Sequence, residues 1–482
     1  MAYQVLSDEA WAKQEFGHTN LGDKRLNDRV VKVALAMAAD PAGSLPAQCG
    51  NWGQSKGAYR LFNHEKATFE SVSQSHWQQT RKRCLDHSLV LLIQDTTWLD
   101  YSHHPDTDGL GWFGRGKGKL RGGNGLLMHG VLAVAPKGDG VGEVLGLAHN
   151  KLWKRTGKPK NATNKQRSKR RRSEDRESLR WRDALTEVGS PPEGVSYLHV
   201  GDRESDVFDL YEQSQKMQNV GFLVRMKHDR NVLKGHDTPD LLDLESRRGS
   251  SLKKLLRSLP AMGQKLLWIG PKKDKPGRWA TMKVSATALT IYSPQLLRNG
   301  RAIRCWGVRV WEADPPEGTE PLEWLLLSSM PINSLEDALK AAEYYSLRWL
   351  IEEYHKCLKS GCKVEERQLQ TADRLAPLIG MLSVVAVRLL QLKNDARVHP
   401  EKLASQCVPA ELVQTLSVLK KLEAATMSVR SFMHAVAKLG GFLGRKSDGE
   451  PGYLTLWRGW QKLSQIHLGY QLAQQLKDVG NG

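Results

Sequence analysis

Residues 89–93 constrain the fold more than any other segment, because five consecutive apolar residues leave the strand no polar face for solvent. Such a strand is buried on both faces, which is typical of a sheet covered by helices. Asp95 follows almost directly and is predicted to stand at the end of this strand. A second short strand, residues 197–200, delivers Asp202 at its carboxyl end. The sequence therefore predicts an α/β core with acidic side chains where two strands end.

The rest of the chain divides by its patterning into helical and β-rich parts. With 482 residues the chain has room for about three domains. Residues 1–75 are predicted to form an N-terminal region of short helices, and residues 76–370 a core. Within that core, period-two alternation predicts an inserted β-subdomain at about residues 231–330. Residues 371–482 are predicted to be mainly helical, with amphipathic stretches.

The charge of the chain indicates a polyanionic partner. The formal net charge is +19, and each Lys or Arg that meets a phosphate releases condensed counterions. This favours a nucleic acid over the alternative, an acidic membrane surface. Residues 151–172 hold eleven Lys or Arg and no acidic residue, which predicts a mobile surface loop. That loop either contacts phosphates or serves only solubility.

The six cysteines and the apolar segments bear on where the protein works. The cysteines lack paired spacing, which argues against a disulfide scaffold or a zinc module and fits a reducing cytosol. The first residues show no secretory signal. Residues 378–392, the most apolar stretch, are predicted to be too short to span a bilayer and contain Arg388. We therefore expect a cytoplasmic protein without a membrane partner.

A long helix is predicted over about residues 335–361. On it, Tyr345, Arg348, Glu352 and Lys359 fall within an arc of roughly 60° on one face. One explanation is an ordinary ion-pair face, which Arg348 and Glu352 would form by themselves. The other is a functional site built from a phenol, a guanidinium, a carboxylate and an ammonium.

The two strand-end aspartates favour the second explanation. A buried carboxylate is costly unless its charge is offset, and Asp95 and Asp202 side by side would repel each other until a divalent cation compensated them. Glu352 would complete an oxygen ligand set suited to Mg²⁺ or Mn²⁺. Two such ions roughly 4 Å apart activate a water and stabilise the leaving 3′ oxygen of a phosphodiester. That the three carboxylates converge is the central hypothesis.

At this level of detail the sequence resembles the DDE cut-and-paste transposases of bacterial insertion sequences, in the Tn-five-like group of the IS-four family. The matching pieces run in the family's order across nearly the whole chain: LGDKRL, GAYRLF, IQDTTWLDY, GDRESD, FLVRMKH, PLEWLLLSS, YYSLRWLIEEYHKCLKSG, VAVRLLQL, AVAKLGGF and LWRGW. The family's Tyr-Arg-Glu-Lys signature is present as Tyr345, Arg348, Glu352 and Lys359. This spacing, together with two correctly placed aspartates, is specific, whereas any single piece is weak.

The resemblance implies a ribonuclease-H-like core interrupted by a β-insertion, an N-terminal DNA-binding region and a C-terminal region that pairs two protomers. It implies that Asp95, Asp202 and Glu352 are the catalytic, metal-binding triad. The implied DNA contacts are Tyr345, Arg348, Lys359, Trp324, Arg225, Lys227, Arg25 and Arg29.

Some of these implied contacts carry an alternative. Trp324 matches the position where a flipped base stacks, although a plain core Trp on a strand remains open. Arg225 and Lys227 alternate on FLVRMKH and are predicted to share one strand face. Leu26 stands where the family has the second of two paired arginines, so one expected contact is missing.

The sequence is therefore interpreted as a homodimeric transposase that binds double-stranded DNA, both inverted-repeat ends and target. It would use two Mg²⁺ ions per site, with Mn²⁺ plausible, for nicking, hairpin formation and opening, and strand transfer. We expect it in the bacterial cytoplasm, associated with the nucleoid when bound to DNA. Two alternatives are a metal-dependent nuclease without strand transfer and a catalytically silent DNA-binding regulator.

Overall fold

The computed structural model describes residues 8–113, 123–155, 176–234, 250–269, 277–292, 302–445 and 448–480. Most of the basic segment 151–172 lies outside the described residues, so its contact with phosphates stays a prediction.

The N-terminal part of the chain is helical, as predicted. Its helices are α1 (Asp8–Phe16), α2 (Lys24–Ala39), α3 (Leu45–Cys49), α4 (Trp52–Phe62) and α5 (Phe69–Cys84). Helix α2 buries one apolar face, which includes Val30, Val33 and Met37. Asp23 begins this helix by accepting a hydrogen bond from the Arg25 backbone N–H at 2.7 Å, which satisfies one of the unpaired amides of the first turn. Helix α5 continues past residue 75 and packs on the sheet, and the limits of the domains remain a prediction.

The centre of the fold is a mixed sheet. Its first strands are β1 (Leu89–Asp100), β2 (Gly111–Phe113), β3 (Gly123–Gly138), β4 (Val141–Trp153), β5 (Ser196–Gly201) and β6 (Val220–Arg225). Strand β1 pairs in parallel with β5, and β5 with β6. On its other side β1 pairs antiparallel with β3, which pairs antiparallel with β4 and β2. The predicted α/β core is therefore confirmed.

The β-rich block continues this sheet instead of forming a sheet of its own. Its strands are β7 (Asn231–Lys234), β8 (Ser250–Ser251), β9 (Gly263–Ile269), β10 (Arg278–Tyr292), β11 (Ala302–Glu312) and β12 (Glu323–Ser328). Strand β12 pairs antiparallel with β6, and β11 and β10 follow in order. A second apolar cluster, which includes Tyr211, Phe222 and Leu327, fills the space beneath this extension. It also takes in side chains of α6 (Arg180–Val188), α7 (Phe208–Gln215) and α8 (Leu252–Ser258).

The long helix predicted over residues 335–361 is interrupted, so that prediction is wrong in its continuity. The structure has α9 (Leu335–Ser346), then α10 (Trp349–Lys356) and a π-helical turn, Cys357–Gly361. Ser334 caps α9 in a capping box with Asp337. A break and a π-turn both change the rotation per residue, although Arg348 still interacts with both Tyr345 and Glu352 across the break.

Helix α11 (Ala372–Val398) runs through the middle of the apolar core. The prediction that this apolar segment is too short for a membrane is wrong, because residues 372–394 are long and apolar enough by length and composition. Within the protein, however, 89% of the most apolar window is buried, so packing in the core explains its composition. Arg388 forms an ion pair with Asp8 there and stacks over the Trp11 ring at 4.6 Å.

The C-terminal part forms its own apolar cluster from α12 (Ala410–Lys420), α13 (Val429–Leu439) and α14 (Tyr453–Gly480). Large apolar side chains also remain on its surface: Val418 is 73% exposed, Leu468 57% and Leu472 52%. Several such residues on neighbouring helices are typical of an interaction surface.

Candidate active site

Asp95 lies within β1 and not at its end. The strand continues to Asp100, and β3 pairs with it along this whole stretch, with Asp95 opposite Gly130. The prediction of a strand end at Asp95 is therefore wrong, because a hairpin partner holds the strand extended beyond its apolar run. It is β5 that ends here: Ile93 pairs with Val200, and β5 stops at Gly201.

Asp202 follows the last residue of β5, as predicted. The parallel register of β1 and β5 brings it beside Asp95. Its Oδ1 accepts the backbone N–H of Glu204 at 2.8 Å, which begins a short 3₁₀ turn. The Oδ1 of Asp95 likewise accepts the backbone N–H of the next residue, Thr96, at 2.8 Å.

The electrostatics of Asp95 show that the three predicted carboxylates act on one another. Burial and, after it, the negative charge of Asp202 raise the pKa of Asp95 to about 7, with a smaller increase from Glu352 and against the hydrogen bond from Thr96 and the charge of Arg348. Such a group holds its proton near neutrality unless a cation replaces it.

Glu352 stands in the first turn of α10, where Arg348 donates a hydrogen bond to its Oε1. The ion pair that the sequence allowed therefore exists, and both partners are mostly buried, at 17% and 30% exposure of their side chains. In the described part of the chain no three Asp, Glu, His or Cys side chains are gathered closely enough to hold an ion. Glu352 is thus close enough to act on Asp95 by its charge, while its carboxylate is held by Arg348.

The donor set nevertheless fits a divalent cation. Two carboxylates lie close together in a mostly buried position, and a third lies within electrostatic range. These oxygens are hard ligands of the kind that Mg²⁺ and Mn²⁺ prefer. The repulsion that raises the pKa of Asp95 is what a cation between the carboxylates would relieve.

The other predicted residues of the interrupted helix take different directions. Tyr345 is buried, packs edge-on against Trp324 with ring centroids 5.3 Å apart, and interacts with Arg225. Lys359, on the π-turn, donates to the carbonyl of Trp98 in β1 and pairs with a carboxylate of Glu365 at 3.1 Å. Arg348 therefore interacts with both Tyr345 and Glu352, whereas Lys359 is held by partners on β1 and at Glu365.

Trp324 borders a cavity of about 420 Å³ between the extended sheet and α9. Trp279, which is 65% exposed, and Leu266 also line it. Trp324 is half-buried, so neither explanation offered by the sequence is excluded. Burial is the main cause of the raised pKa of Tyr345, and the negative charge of Asp202 also raises it. Because Tyr345 packs against Trp324, the ring of Tyr345 lies between Trp324 and Asp202.

The remaining predicted DNA contacts are spread over two regions. Arg225 ends β6 and donates to the Glu323 carbonyl at 3.0 Å. Lys227 is exposed beyond the strand, so the prediction that both share one strand face is wrong. In the N-terminal region Arg25 is exposed on α2, whereas Arg29 is half-buried and reaches the Gly57 carbonyl of α4 at 3.5 Å.

Some neighbours of the carboxylates were missed by the sequence analysis. His355 places its Nδ1 3.9 Å from Asp95 Oδ2 and is kept neutral, because burial lowers its pKa to about 3. Its position three residues after Glu352 was a usable signal, because side chains three apart share a helix face. Arg180, on α6, contacts Thr96 beside Asp95, and nothing in the local sequence pattern indicates this long-range contact.

These features define the class of protein by its fold and site, an α/β protein with a cluster of carboxylates on a mixed sheet. Three family models match the chain. Transposase DNA-binding matches residues 8–67, the Transposase DDE domain residues 147–387, and the Transposase Tn5 dimerisation domain residues 384–480. The chain belongs to the Tn5-like DDE transposases.

Membership of this family fixes the general activity. The sheet is the ribonuclease-H-like core of the DDE domain, and the protein is a metal-dependent, DNA-cleaving enzyme. It binds DNA and forms a homodimer, which accounts for the apolar side chains on the surface of the C-terminal helices. The DDE match begins at residue 147, so Asp95 lies outside it and is connected to the site by the pairing of β1 with β5.

Proposed function

We propose that Asp95, Asp202 and Glu352 bind two Mg²⁺ ions and catalyse every cleavage and joining step of cut-and-paste transposition. The observation that supports this most is the position of Asp95 beside Asp202, where repulsion and burial raise its pKa to about 7. A structural role would not require two acidic groups in so unfavourable a place. Mn²⁺ has the same ligand preference and is expected to substitute.

Bound at this site, the ions would activate a hydroxyl group for attack on phosphorus and stabilise the leaving 3′ oxygen. The carboxylates of Asp95 and Asp202 are held in fixed positions where the reacting phosphate would bind, since each accepts a hydrogen bond from a backbone N–H. His355 is neutral and mostly buried next to Asp95, so it adds no charge and limits access of solvent from that side.

Glu352 can complete the ligand set only when Arg348 releases it. Both side chains are partly accessible, and a guanidinium binds a phosphate as well as it binds a carboxylate. We infer that Arg348 turns to a phosphate of the DNA strand end and frees Glu352. DNA binding and metal binding would then support each other at this site.

The other contacts follow from accessibility and charge. Lys359 contacts the carbonyl of Trp98, three residues along β1 from Asp95. This position suits a second phosphate of the same DNA strand. Tyr345 and Arg225 interact with each other next to Asp202 and are placed to support the DNA end. Lys227 is exposed beyond β6, and Arg25 with Arg29 would bind the terminal repeat from the N-terminal region.

Trp324 and the adjacent cavity suit a base that leaves the duplex during hairpin formation. The volume of about 420 Å³ lies within the usual range of small-molecule pockets. An unstacked base needs an aromatic surface to replace its lost neighbour, and Trp324 and Trp279 both line this cavity.

The reaction sequence we propose is nicking at each inverted-repeat end, attack of the free 3′-OH on the opposite strand, reopening of the hairpin, and joining to target DNA. All are phosphoryl transfers at one site. The test is cleavage of the DNA that flanks this gene, with Mg²⁺ and with EDTA, resolved on denaturing gels that separate hairpin ends from open ends.

Glu352→Gln should abolish Mg²⁺-dependent cleavage while end binding remains. Its neighbour supplies the matched control: Glu353 pairs with Lys393 at 2.7 Å on the inner side of the helix, so Glu353→Gln should still cleave. Specific binding without cleavage by the unmodified protein would leave a DNA-binding regulator. Cleavage without joining would leave a nuclease.

A further inference from the structure

Arg180 joins the two segments that carry the aspartates. It begins α6, and its guanidinium uses all three nitrogens. Its Nε donates to Thr96 Oγ1 at 2.8 Å, and one terminal nitrogen donates to Glu204 Oε2 at 2.5 Å. The other terminal nitrogen donates to the carbonyl of Glu177 at 2.9 Å, which fixes the orientation of the group.

Both residues held by Arg180 also hold an aspartate. The backbone N–H of Thr96 donates to Asp95, and the backbone N–H of Glu204 donates to Asp202, each at 2.8 Å. One guanidinium therefore contacts a neighbouring residue of each aspartate, although the two segments are far apart in sequence.

A chain of hydrogen bonds between buried side chains fixes the side chain of Thr96. The side-chain amide of Gln94 donates to His199 Nδ1 at 2.6 Å, and its oxygen faces His129 Nε2 at 3.1 Å. The other ring nitrogen of His129, Nδ1, lies 2.9 Å from Thr96 Oγ1. The Thr96 hydroxyl is therefore hydrogen-bonded to His129 while its oxygen accepts from Arg180.

The groups of this chain are buried and uncharged. Gln94, His129 and His199 are each at most 1% exposed, and burial lowers the pKa of both histidines, so they are neutral. A buried, hydrogen-bonded chain of this kind is rigid, because its groups cannot exchange their partners for water.

We propose that Arg180 is a positioning residue that sets the separation of Asp95 and Asp202 and thereby the affinity of the site for its metal ions. This inference rests on the proposed function of the two aspartates. Arg180 acts through its planar fork, which spans Thr96 and Glu204 at once. A lysine carries the same charge but is a single point donor and does not bridge both groups.

The test measures Mn²⁺ binding to the complex of the full-length protein with its end DNA, from the loss of the free Mn²⁺ signal in electron paramagnetic resonance. The Asp95→Asn complex supplies the baseline for ions bound to DNA alone. Removing a group that orients metal ligands typically weakens binding by about 10- to 100-fold, so Arg180→Gln should raise the Kd about tenfold. Arg180→Lys should raise it by a similar factor.

Two further variants keep the test decisive. Arg182→Gln removes the same charge from the same helix, where Arg182 pairs with its neighbour Asp183, and should leave the Kd unchanged. Glu204→Gln alters a side chain that is 58% exposed and should not impair folding. It loosens only one arm of the fork and should raise the Kd about threefold, below the range for losing the whole group.

The outcomes separate the two levels of inference. If Asp95→Asn binds as many ions as the unmodified protein, the proposed function itself is wrong. If Asp95→Asn loses ions but Arg180→Gln and Glu204→Gln do not, only the role of Arg180 is wrong. If Arg180→Lys restores the Kd that Arg180→Gln loses, Arg180 acts by charge alone, as a DNA contact would, and the positioning role is refuted.

Discussion

Replacing Asp95 by asparagine should stabilise the metal-free protein at alkaline pH. Burial, Asp202 and Glu352 raise the pKa of Asp95 from 3.8 to about 7, which corresponds to about 4 kcal/mol of free energy. A group whose pKa is raised in the folded state contributes stability that is present below its unfolded pKa and lost as pH rises through the folded pKa. Above pH 7 the ionised Asp95 therefore destabilises the fold by this whole amount.

Asparagine has the same shape and no charge, so it removes this cost. The variant must also bury an amide NH₂ group, at a cost of about 1 to 3 kcal/mol where a partner is lacking. At pH 5 the folded protein already holds the proton, and the cost of Asp95 is then only about 1.6 kcal/mol. The difference in stability between the variant and the unmodified protein should therefore grow by about 3 kcal/mol from pH 5 to pH 8, whatever the amide costs.

The measurement is thermal unfolding in EDTA at pH 5 and pH 8. At about 1 °C per kcal/mol for a chain of 482 residues, the relative Tm of Asp95→Asn should rise by about 3 °C between the two conditions. Added Mg²⁺ should raise the Tm of the unmodified protein and not that of the variant, because an ion that binds only the native state stabilises it.

Asp206 provides the control, because it is more deeply buried than Asp95 but fully paired. Its carboxylate accepts from Tyr211, from Arg230 and from two backbone N–H groups. Asp206→Asn should therefore lower the stability by about 3 kcal/mol at both pH values. If Asp95→Asn instead behaves like Asp206→Asn, or shows no change between pH 5 and pH 8, the carboxylates do not repel one another and the reasoning is refuted.

Three further changes test other parts of the structure. Glu15 is buried between α1 and α5 and accepts from His76 at 2.6 Å and from Arg83, so Glu15→Ala should lower stability by about 3 kcal/mol. Burial alone would raise the pKa of Glu15, but His76 and Arg83 lower it. The loss of stability, measured by thermal unfolding, should therefore be complete above the pKa that Glu15 has in the unfolded chain. It should shrink as pH falls through the pKa of Glu15 in the folded protein, and a loss that does not depend on pH would contradict the pairing. Trp324→Ala should reduce hairpin ends on denaturing gels by about tenfold, the equivalent of about 1.4 kcal/mol of stacking, with nicking unchanged and with Trp324→Phe restoring part of the product. Equal losses of nicks and hairpins would make Trp324 a core residue. Leu468→Asp should shift the protein towards monomer in analytical ultracentrifugation. Leu85→Asp should not, because Leu85 has the same 57% exposure but lies outside the dimerisation match. A dimer that survives Leu468→Asp would place the interface elsewhere.

The sequence predicts the layers of the fold better than the course of single strands and helices. The apolar run at residues 89–93 correctly indicates a buried strand, and Asp202 directly follows the strand that was predicted for it. The end of β1 was misplaced, because its length depends on pairing with β3, which local patterning does not contain. The break near Arg348 was missed for a similar reason, since every residue around it is compatible with a helix.

The candidate site shows the same division between local and long-range information. Tyr345, Arg348, Glu352 and Lys359 were found because their spacing is a local pattern, and Arg348 does interact with Tyr345 and Glu352, while Lys359 contacts the Trp98 carbonyl of β1. Arg180 was not found, because its contact with Thr96 joins positions 84 residues apart. The β-rich block was recognised by its period, but its pairing with β6 depends on strand order, which the sequence does not specify.

The charges of Asp95 and Glu352 are both offset in the absence of metal ions. Arg348 offsets Glu352, and a proton offsets Asp95 near neutral pH, so neither carboxylate is left as an unpaired buried charge. In the proposed function a divalent cation would replace both partners without breaking the sheet. The guanidinium of Arg180 takes no part in this change of charge partners. It contacts Thr96 and Glu204, whose backbone N–H groups hold the aspartates, and not the carboxylates of the aspartates themselves. The positions of Asp95 and Asp202 can therefore stay fixed while their charge partners change, which is what repeated phosphoryl transfers at one site require.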